Sequence, residues 1–328
     1  MMLANVINKT SDKADVMKIQ SITVPSPSAG QLLIKTVASS VNPIDTKIRM
    51  GLAVVPKSLP ATLHTDFSGT VVAIGEGVHG FEIDDNVYGC CGLWGGGSGA
   101  LAQYQTADAR LIAHAPKSIA LADSAVLPLV AITAYECLIE RLKLNKGDSV
   151  LIQSASGGVG HIATQLAVAF DMNVYGISTS DEKCALIESY GATSFNRKTG
   201  DQFEWANSFG GFENIFNTVG GASIDDAFAM NRPYGSTIGI AGRSDHNLGT
   251  MHIKNLTLIF ELMITTIMQE DRRANAGVIL KKIAELVDAG KIKPLISPNR
   301  FTLETAGQAQ DFLMSGKHNG QKVVIDIA

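Results

Sequence analysis

The hexapeptide Ala155-Ser156-Gly157-Gly158-Val159-Gly160 constrains this chain more than any other feature. It follows the short apolar run SVLIQ (149–153), which reads as a buried strand. It precedes a stretch with apolar residues at 159, 162, 163, 166, 167 and 170, a helical spacing. A glycine loop between a strand and a helix is the setting of a dinucleotide fingerprint. Glycines let the chain turn tightly and let backbone N–H groups approach a pyrophosphate, and the helix N-terminus adds partial positive charge. Ala155 stands where the usual G-x-G-x-x-G has its first glycine. The alternative is a turn that serves strand–helix packing alone; the elements that follow favour a nucleotide.

Those elements alternate. VYGIS (174–178) reads as a second strand, 181–189 as a helix, and IFNTV (215–219) and STIGIAG (236–242) as further strands. Such alternation implies a parallel sheet with helices on both faces. Upstream, to about Ile119, the texture changes: LLIKTVASSV (32–41) and GTVVAIG (69–75) are strands punctuated by Gly and Pro, as in a compact β-rich domain. Downstream lie a helix near 273–289 and then strand, helix and strand, ending in KVVIDIA. That last strand is too isolated to stand alone and is expected to return to the first domain. The expected class is α/β, with a β-rich domain from 1–124 and 262–328 and a nucleotide domain from 125–261. The tract GLWGGGSG (92–99) is expected to be a surface loop.

An NAD site carries an Asp or Glu roughly twenty residues past the glycine loop. Here the second strand ends in Ser178-Thr179-Ser180, with Lys183 in the next turn and Arg197-Lys198 after the third strand. Hydroxyls beside cations suit a 2′-phosphate, so NADPH is the expected cofactor. Asp181 and Glu182 leave two readings open. They are ribose ligands, or they start a helix through the capping box Thr179-x-x-Glu182.

A net charge of −4 with no long run of one sign argues against nucleic acid or an anionic membrane surface as partner. No apolar run reaches the roughly 18–20 residues that span a bilayer. The four cysteines, Cys90, Cys91, Cys137 and Cys184, form no CxxC pair, and no signal peptide precedes them, so a reducing cytoplasm is expected.

The blocks VPSPSAGQLLIK (24–35), VNPIDTKIRMG (41–51), TDFSGTVVAIGEGV (65–78), DDNVYG (84–89), LPLVAITAYECL (127–138) and SASGGVG (154–160) occur in this order. Together they resemble the medium-chain dehydrogenase/reductase superfamily, within it the zinc-free quinone oxidoreductase branch that includes zeta-crystallin. The resemblance covers nearly the whole chain. It implies a GroES-like domain plus a Rossmann domain with the active site in the cleft, and hydride transfer from NADPH to a quinone or an enone. It also implies homodimers paired through a Rossmann edge strand near Met251–Ile259.

The resemblance places Asn42 and Asp45 beside the nicotinamide ribose and substrate, Arg49 close by, and Thr133 at the nicotinamide end. Thr218-Val219 and Ala241-Gly242 end strands at the crevice where Rossmann ligands lie. With Ser156, Gly157, Gly158 and Val159 of the loop they complete the expected cofactor site. Structural readings stand beside these. Asn42-Pro43 shapes a turn, Asp45 and Arg49 form a plain i,i+4 surface pair, and Asp66 ties a loop.

No metal site is expected. Zinc relatives carry a cysteine near Val41-Asn42 and Gly-His-Glu where this chain has His64-Thr65-Asp66; a catalytic zinc needs three such ligands. Family members also carry tyrosines in the block corresponding to Thr46–Val54, where Lys47 and Ala53 stand here. Two alternatives remain: an enone reductase with little quinone activity, and a non-catalytic NADPH-binding protein.

Overall fold

Strand Gln31–Val41 organises the first of two units. Leu32, Ile34, Thr36 and Ala38 are fully buried at every second position, the period that puts one face of a strand into a core. The computed structural model describes residues 1–53 and 59–327, the Leu93 side chain excepted. Residues 1–132 with 264–290 and 294–328 form this first unit, and 133–263 with 291–293 the second.

The first unit begins with β1 (Met2–Ile7), β2 (Lys18–Ile22), β3 (Gln31–Val41), β4 (Ala61–Thr62), β5 (Asp66–Ile74), β6 (Asn86–Cys90), β7 (Tyr104–Asp108) and β8 (Ile112–His114). Helix α1 (Pro43–Arg49) follows β3, and α2 (Leu121–Ser124) and α3 (Pro128–Tyr135) close the segment. β2, β1 and β4 make one antiparallel sheet; β3, β5, β6 and β8 run side by side in another, with β7 also on β3.

The tract 92–99 is not a surface loop. It begins as a 3-10 turn, Gly92–Gly95, with Trp94 only 9% exposed. A Cβ on Gly97 would collide with the Thr106 carbonyl, one on Gly99 with the Thr62 and Leu63 carbonyls, and one on Gly95 would lie 2.7 Å from Leu111 Cδ1. These glycines allow backbone to pack against backbone, which composition alone does not distinguish from a flexible tract.

The second unit holds β9 (Ser149–Gln153), β10 (Asn173–Ser178), β11 (Thr193–Asn196), β12 (Phe212–Asn217), β13 (Asn231–Gly239) and β14 (Thr257–Phe260). All are parallel, in the order β11-β10-β9-β12-β13-β14. This is the doubly wound order 3-2-1-4-5-6, with its switch point between β9 and β12. Val150, Leu151 and Ile152 are fully buried, as a central strand covered on both faces requires. Helices α4 (Gly160–Ala169), α5 (Asp181–Ser189), α6 (Gln202–Ser208), α7 (Ser223–Met230) and α8 (Gly249–Ile253) complete it. Residues 251–253 are therefore helical, and the edge strand is 257–260.

The chain then returns to the first unit with α9 (Ile264–Met268), α10 (Arg273–Asp288), β15 (Phe301–Thr302), α11 (Ala306–Met314) and β16 (Val323–Asp326). β16 pairs antiparallel with β3, Val323 opposite Val41. No helix among the described residues is long and apolar enough to cross a membrane.

Candidate functional site

The loop between β9 and α4 is built by close contacts. Ser154 adopts φ +58°, and Gly157 N–H donates back to its carbonyl at 2.9 Å. A Cβ on Gly157 would lie 2.9 Å from Ser154 Oγ, and one on Gly160 would collide with the Ser154 carbonyl. Ala155 is tolerated at the usual first glycine because the space is made opposite it. Gly176 of β10 presents no side chain there, and a Cβ on it would lie 2.7 Å from the Ala155 Cβ. The loop reaches the neighbouring strand through Ser156 Oγ, 2.9 Å from Ser178 Oγ.

Beyond β10 the chain passes through Thr179 to Ser180, whose Oγ accepts from Lys183 N–H at 3.3 Å and caps α5. The cap is thus Ser180, one residue past the expected Thr179, because Ser180 is the last extended residue before the helix. Asp181 Oδ1 accepts from Nδ2 of Asn196, the β11 residue in register with Ser178, at 2.7 Å; Glu182 is exposed. Arg197 N–H donates to the Ser178 carbonyl at 3.1 Å, which places Arg197 beside the serine-rich strand end. Lys198 is exposed, its N–H on Asn196 Oδ1.

β12 ends at Asn217 and β13 at Gly239, so Thr218-Val219 and Ala241-Gly242 lie in the loops just past the strands. Thr218 Oγ1 donates to the Gln153 carbonyl at 2.7 Å, across the switch point. Asn217 holds the turn, with Nδ2 donating to Gln153 Oε1 and Oδ1 accepting from Val219 and Gly220 N–H. Ala241 fits because Gly220 faces it without a side chain. Asn217 and Gln153 escaped the sequence reading; two amides flanking a switch point were the available signal. The structure gathers Ser156, Gly157, Gly158, Val159, Ser178, Ser180, Lys183, Arg197 and Thr218 past the carboxyl ends of β9, β10, β11 and β12. Thr133 is buried on α3.

The candidates of the first unit sit in a buried polar cluster. Asn42 Nδ2 donates to Asp66 Oδ2 at 2.7 Å, and its Oδ1 accepts from Lys322 Nζ at 2.6 Å. Asp66 also accepts from Ser40 Oγ of β3 and from Leu129 N–H at the start of α3, so it ties a strand to a helix rather than a loop. Burial raises the Asp66 carboxyl above its usual range while Lys322 opposes the rise. Burial likewise lowers the Lys322 ammonium, opposed by Asp66 and Asp45. Lys322 was missed by the sequence reading, although a lysine heading an apolar terminal strand was a signal.

The alternative reading of Asp45 and Arg49 as a plain surface pair does not hold, since both are fully buried. Asp45 Oδ2 accepts the Asn42 N–H at 2.7 Å in a capping box, and burial pushes its carboxyl well up. Arg49 turns away to Asp311 Oδ1 at 3.0 Å and the Asp12 carbonyl at 3.3 Å. Of the block compared with the tyrosines of relatives, Val54 lies outside the described residues.

His64 is sealed in the same core. Ser39 Oγ donates to the Asp66 carbonyl, so the His64 Nδ1 at 3.2 Å is left to donate to Ser39. His64 Nε2 then accepts from Gln310 Nε2 at 3.0 Å. Burial first, then Lys322, lower its pKa to about 3. Both ring nitrogens are engaged, and no group of three or more His, Cys, Asp or Glu among the described residues is arranged to hold a metal. The donor set does not fit a zinc ion.

Residues 28–117 match the family model described as alcohol dehydrogenase GroES-like domain, and residues 158–279 the one described as zinc-binding dehydrogenase. The chain is 30% identical to quinone-oxidoreductase QR1, chloroplastic, of Triphysaria versicolor, over 94% of this chain and 93% of that one. The chain belongs to the medium-chain dehydrogenase/reductase superfamily, in its quinone oxidoreductase branch. A second relative in this superfamily is the NADPH-dependent alkenal/one oxidoreductase, chloroplastic, of Arabidopsis thaliana, 30% identical over 95% of this chain and 77% of that one. The crystal structure of an alcohol dehydrogenase superfamily protein from Novosphingobium aromaticivorans superposes with a TM-score of 0.93, at 31% identity and full coverage of both chains.

Proposed function

We propose that this member of the superfamily reduces a quinone or an α,β-unsaturated carbonyl with NADPH and without zinc. The observation that carries the reading is the end of β10. Ser178 is hydrogen-bonded to the glycine loop, Arg197 N–H donates to its carbonyl, Lys183 follows in the first turn of α5, and Asp181 is engaged with Asn196. A strand end of hydroxyls and cations fits a 2′-phosphate, and a carboxylate facing the same point would repel it. The glycine-loop backbone and the α4 N-terminus fit a pyrophosphate. Relatives named as a quinone oxidoreductase and as an NADPH-dependent alkenal/one oxidoreductase support the same chemistry.

In this reading 125–261 binds the cofactor, and 1–124 with 262–328 handles the substrate. NADPH, when bound, supplies a hydride. Ser156 to Val159 hold its pyrophosphate; Ser178, Thr179, Ser180, Lys183, Arg197 and Lys198 its adenosine phosphate; and Thr133, Thr218, Val219, Ala241 and Gly242 its nicotinamide end. Asn42 orients the substrate, its amide fixed between Lys322 and Asp66. Asp45 and Arg49 serve it by fixing α1, one as cap and one as buried anchor. Quinones and enones accept hydride into a delocalised oxyanion, so positioning replaces a Lewis acid.

A homodimer paired along β14 belongs to this reading. It is supported by an edge strand beside the exposed Ile253 and Leu262, 83% and 60% exposed. A cytoplasmic location is the further proposal from the unpaired cysteines.

The test is the initial rate of NADPH and of NADH oxidation with a small quinone and, separately, an enone. Fast NADPH and slow NADH oxidation is the expected result. Turnover of the enone alone assigns the protein as an enone reductase. Tight NADPH binding with no turnover of either acceptor assigns a nucleotide-binding protein instead.

A further inference from the structure

The second unit carries another group of reactive side chains, unused by the chemistry above. On the segment after β13, Ser244 Oγ lies 2.7 Å from His246 Nε2. His246 Nδ1 lies 2.9 Å from Asp225 Oδ2, in the first turn of α7. The other Asp225 oxygen accepts the Asn247 N–H at 3.2 Å, which fixes the carboxylate from a second side. The His246 ring stands edge-on to Phe228 at 6.4 Å. Its side chain is 8% exposed, whereas Ser244 faces solvent.

Two residues apart on one loop, a serine and a histidine meet easily. The third member comes from a helix 21 positions away and sets the chemistry. A carboxylate only accepts, so it places the neutral ring's proton on Nδ1 and leaves the Nε2 lone pair for the serine O–H. A base within reach of a hydroxyl, itself oriented by an acid, is the arrangement that activates a serine, and it is recognised by geometry rather than by sequence order.

We propose that Ser244, His246 and Asp225 form an acyl-accepting site with a hydrolytic activity toward small activated carboxylic esters, independent of any dinucleotide. Ser244 Oγ bonds to the ester carbonyl carbon as its proton passes to His246 Nε2. The bond from that carbon to the alcohol oxygen then breaks, and the alcohol leaves with the proton. Water attacks the acyl-serine, again giving a proton to His246, and the carboxylic acid departs as Ser244 recovers its own. Asp225 stays ionised and steadies the imidazolium. No electrons are exchanged. Arg243, Asp245 and Asn247 around the serine are all exposed, so the site suits short acyl groups on good leaving groups, which need no pocket.

The full chain, free of nucleotide, is incubated with p-nitrophenyl acetate and, separately, with a fluorophosphonate, and adducts are located by peptide mass. One adduct, on Ser244, is expected. Ser244→Ala abolishes it, and His246→Gln slows it by about 10²–10³-fold, the scale of a lost general base. Asp225→Asn slows it less. Absence of a Ser244 adduct, an adduct on a cysteine or on His246 instead, or equal labelling rates in wild type and His246→Gln overturns the proposal. Ser244 is exposed, so Ser244→Ala keeps the comparison valid if the histidine variant unfolds; each variant's melting midpoint is measured alongside.

Discussion

Lys183 and His64 show how one side chain carries a measurable consequence. Lys183 is half-buried where α5 begins, close to the serines that end β10. Its ammonium faces the 2′-phosphate in the proposed complex. Lys183→Ala therefore weakens NADPH by about 1.5–3 kcal/mol, the worth of a hydrogen bond to a charged group, and leaves NADH nearly unchanged; titration with both nucleotides checks this. His64 has a second, pH-linked effect. Its pKa falls from 6.5 to about 3 on folding. The unfolded chain then binds a proton that the folded chain refuses, so the stability this group contributes is present above pH 6.5 and is lost as pH falls toward 3. The slope is about 1.4 kcal/mol per pH unit. His64→Asn, which suits the left-handed backbone at φ +71°, flattens that acid limb in urea midpoints measured across pH. The loop residues Ser156 to Val159 were legible because the chemistry of a close turn demands glycine. Lys322 was not, because its partners Asn42 and Asp66 lie some 280 and 256 positions earlier, a separation that no local pattern reports.

At the scale of elements, strands and helices followed their periodicity. SVLIQ is β9 residue for residue, and the helix expected over 181–189 is α5. The misreadings lay where backbone meets backbone. The glycine tract 92–99 has the composition of a loose loop, yet Gly97 and Gly99 are packed under the carbonyls of Thr62, Leu63 and Thr106. Gly97→Ala destabilises the protein by about 3 kcal/mol, the upper end for overpacking. Gly77→Ala, whose Cβ would meet nothing within 4 Å, carries only the strain of its positive φ. Urea midpoints of the two variants separate collision from strain. The strand ends at Asn217 and Gly239 are shorter than the apolar runs that announced them. Asn217 folds its own side chain over the N–H groups of Val219 and Gly220 and stops the ladder.

For the whole molecule, the order β11-β10-β9-β12-β13-β14 leaves β14 as an edge, with the exposed Ile253 and Leu262 beside it. An unpaired parallel edge with apolar neighbours is a template for a second copy. In the proposed dimer these side chains are covered, so the wild type is expected to run as a dimer and the double variant Ile253→Asp, Leu262→Asp as a monomer, read by light scattering after size exclusion. The variant is expected to keep its NADPH affinity, since neither residue is among those proposed to hold the cofactor. The amino-acid sequence by itself determined the periodic elements, the glycine loop between β9 and α4 and the class of fold, because each depends on neighbours within a few residues. Tertiary structure alone decided that β16 closes on β3 and sets Lys322 against Asn42, that His64 is sealed between Ser39 and Gln310, and that Asp225 reaches His246. Those contacts join residues far apart in the chain, and hydrogen bonds of buried polar groups are satisfied in space, not in order of sequence.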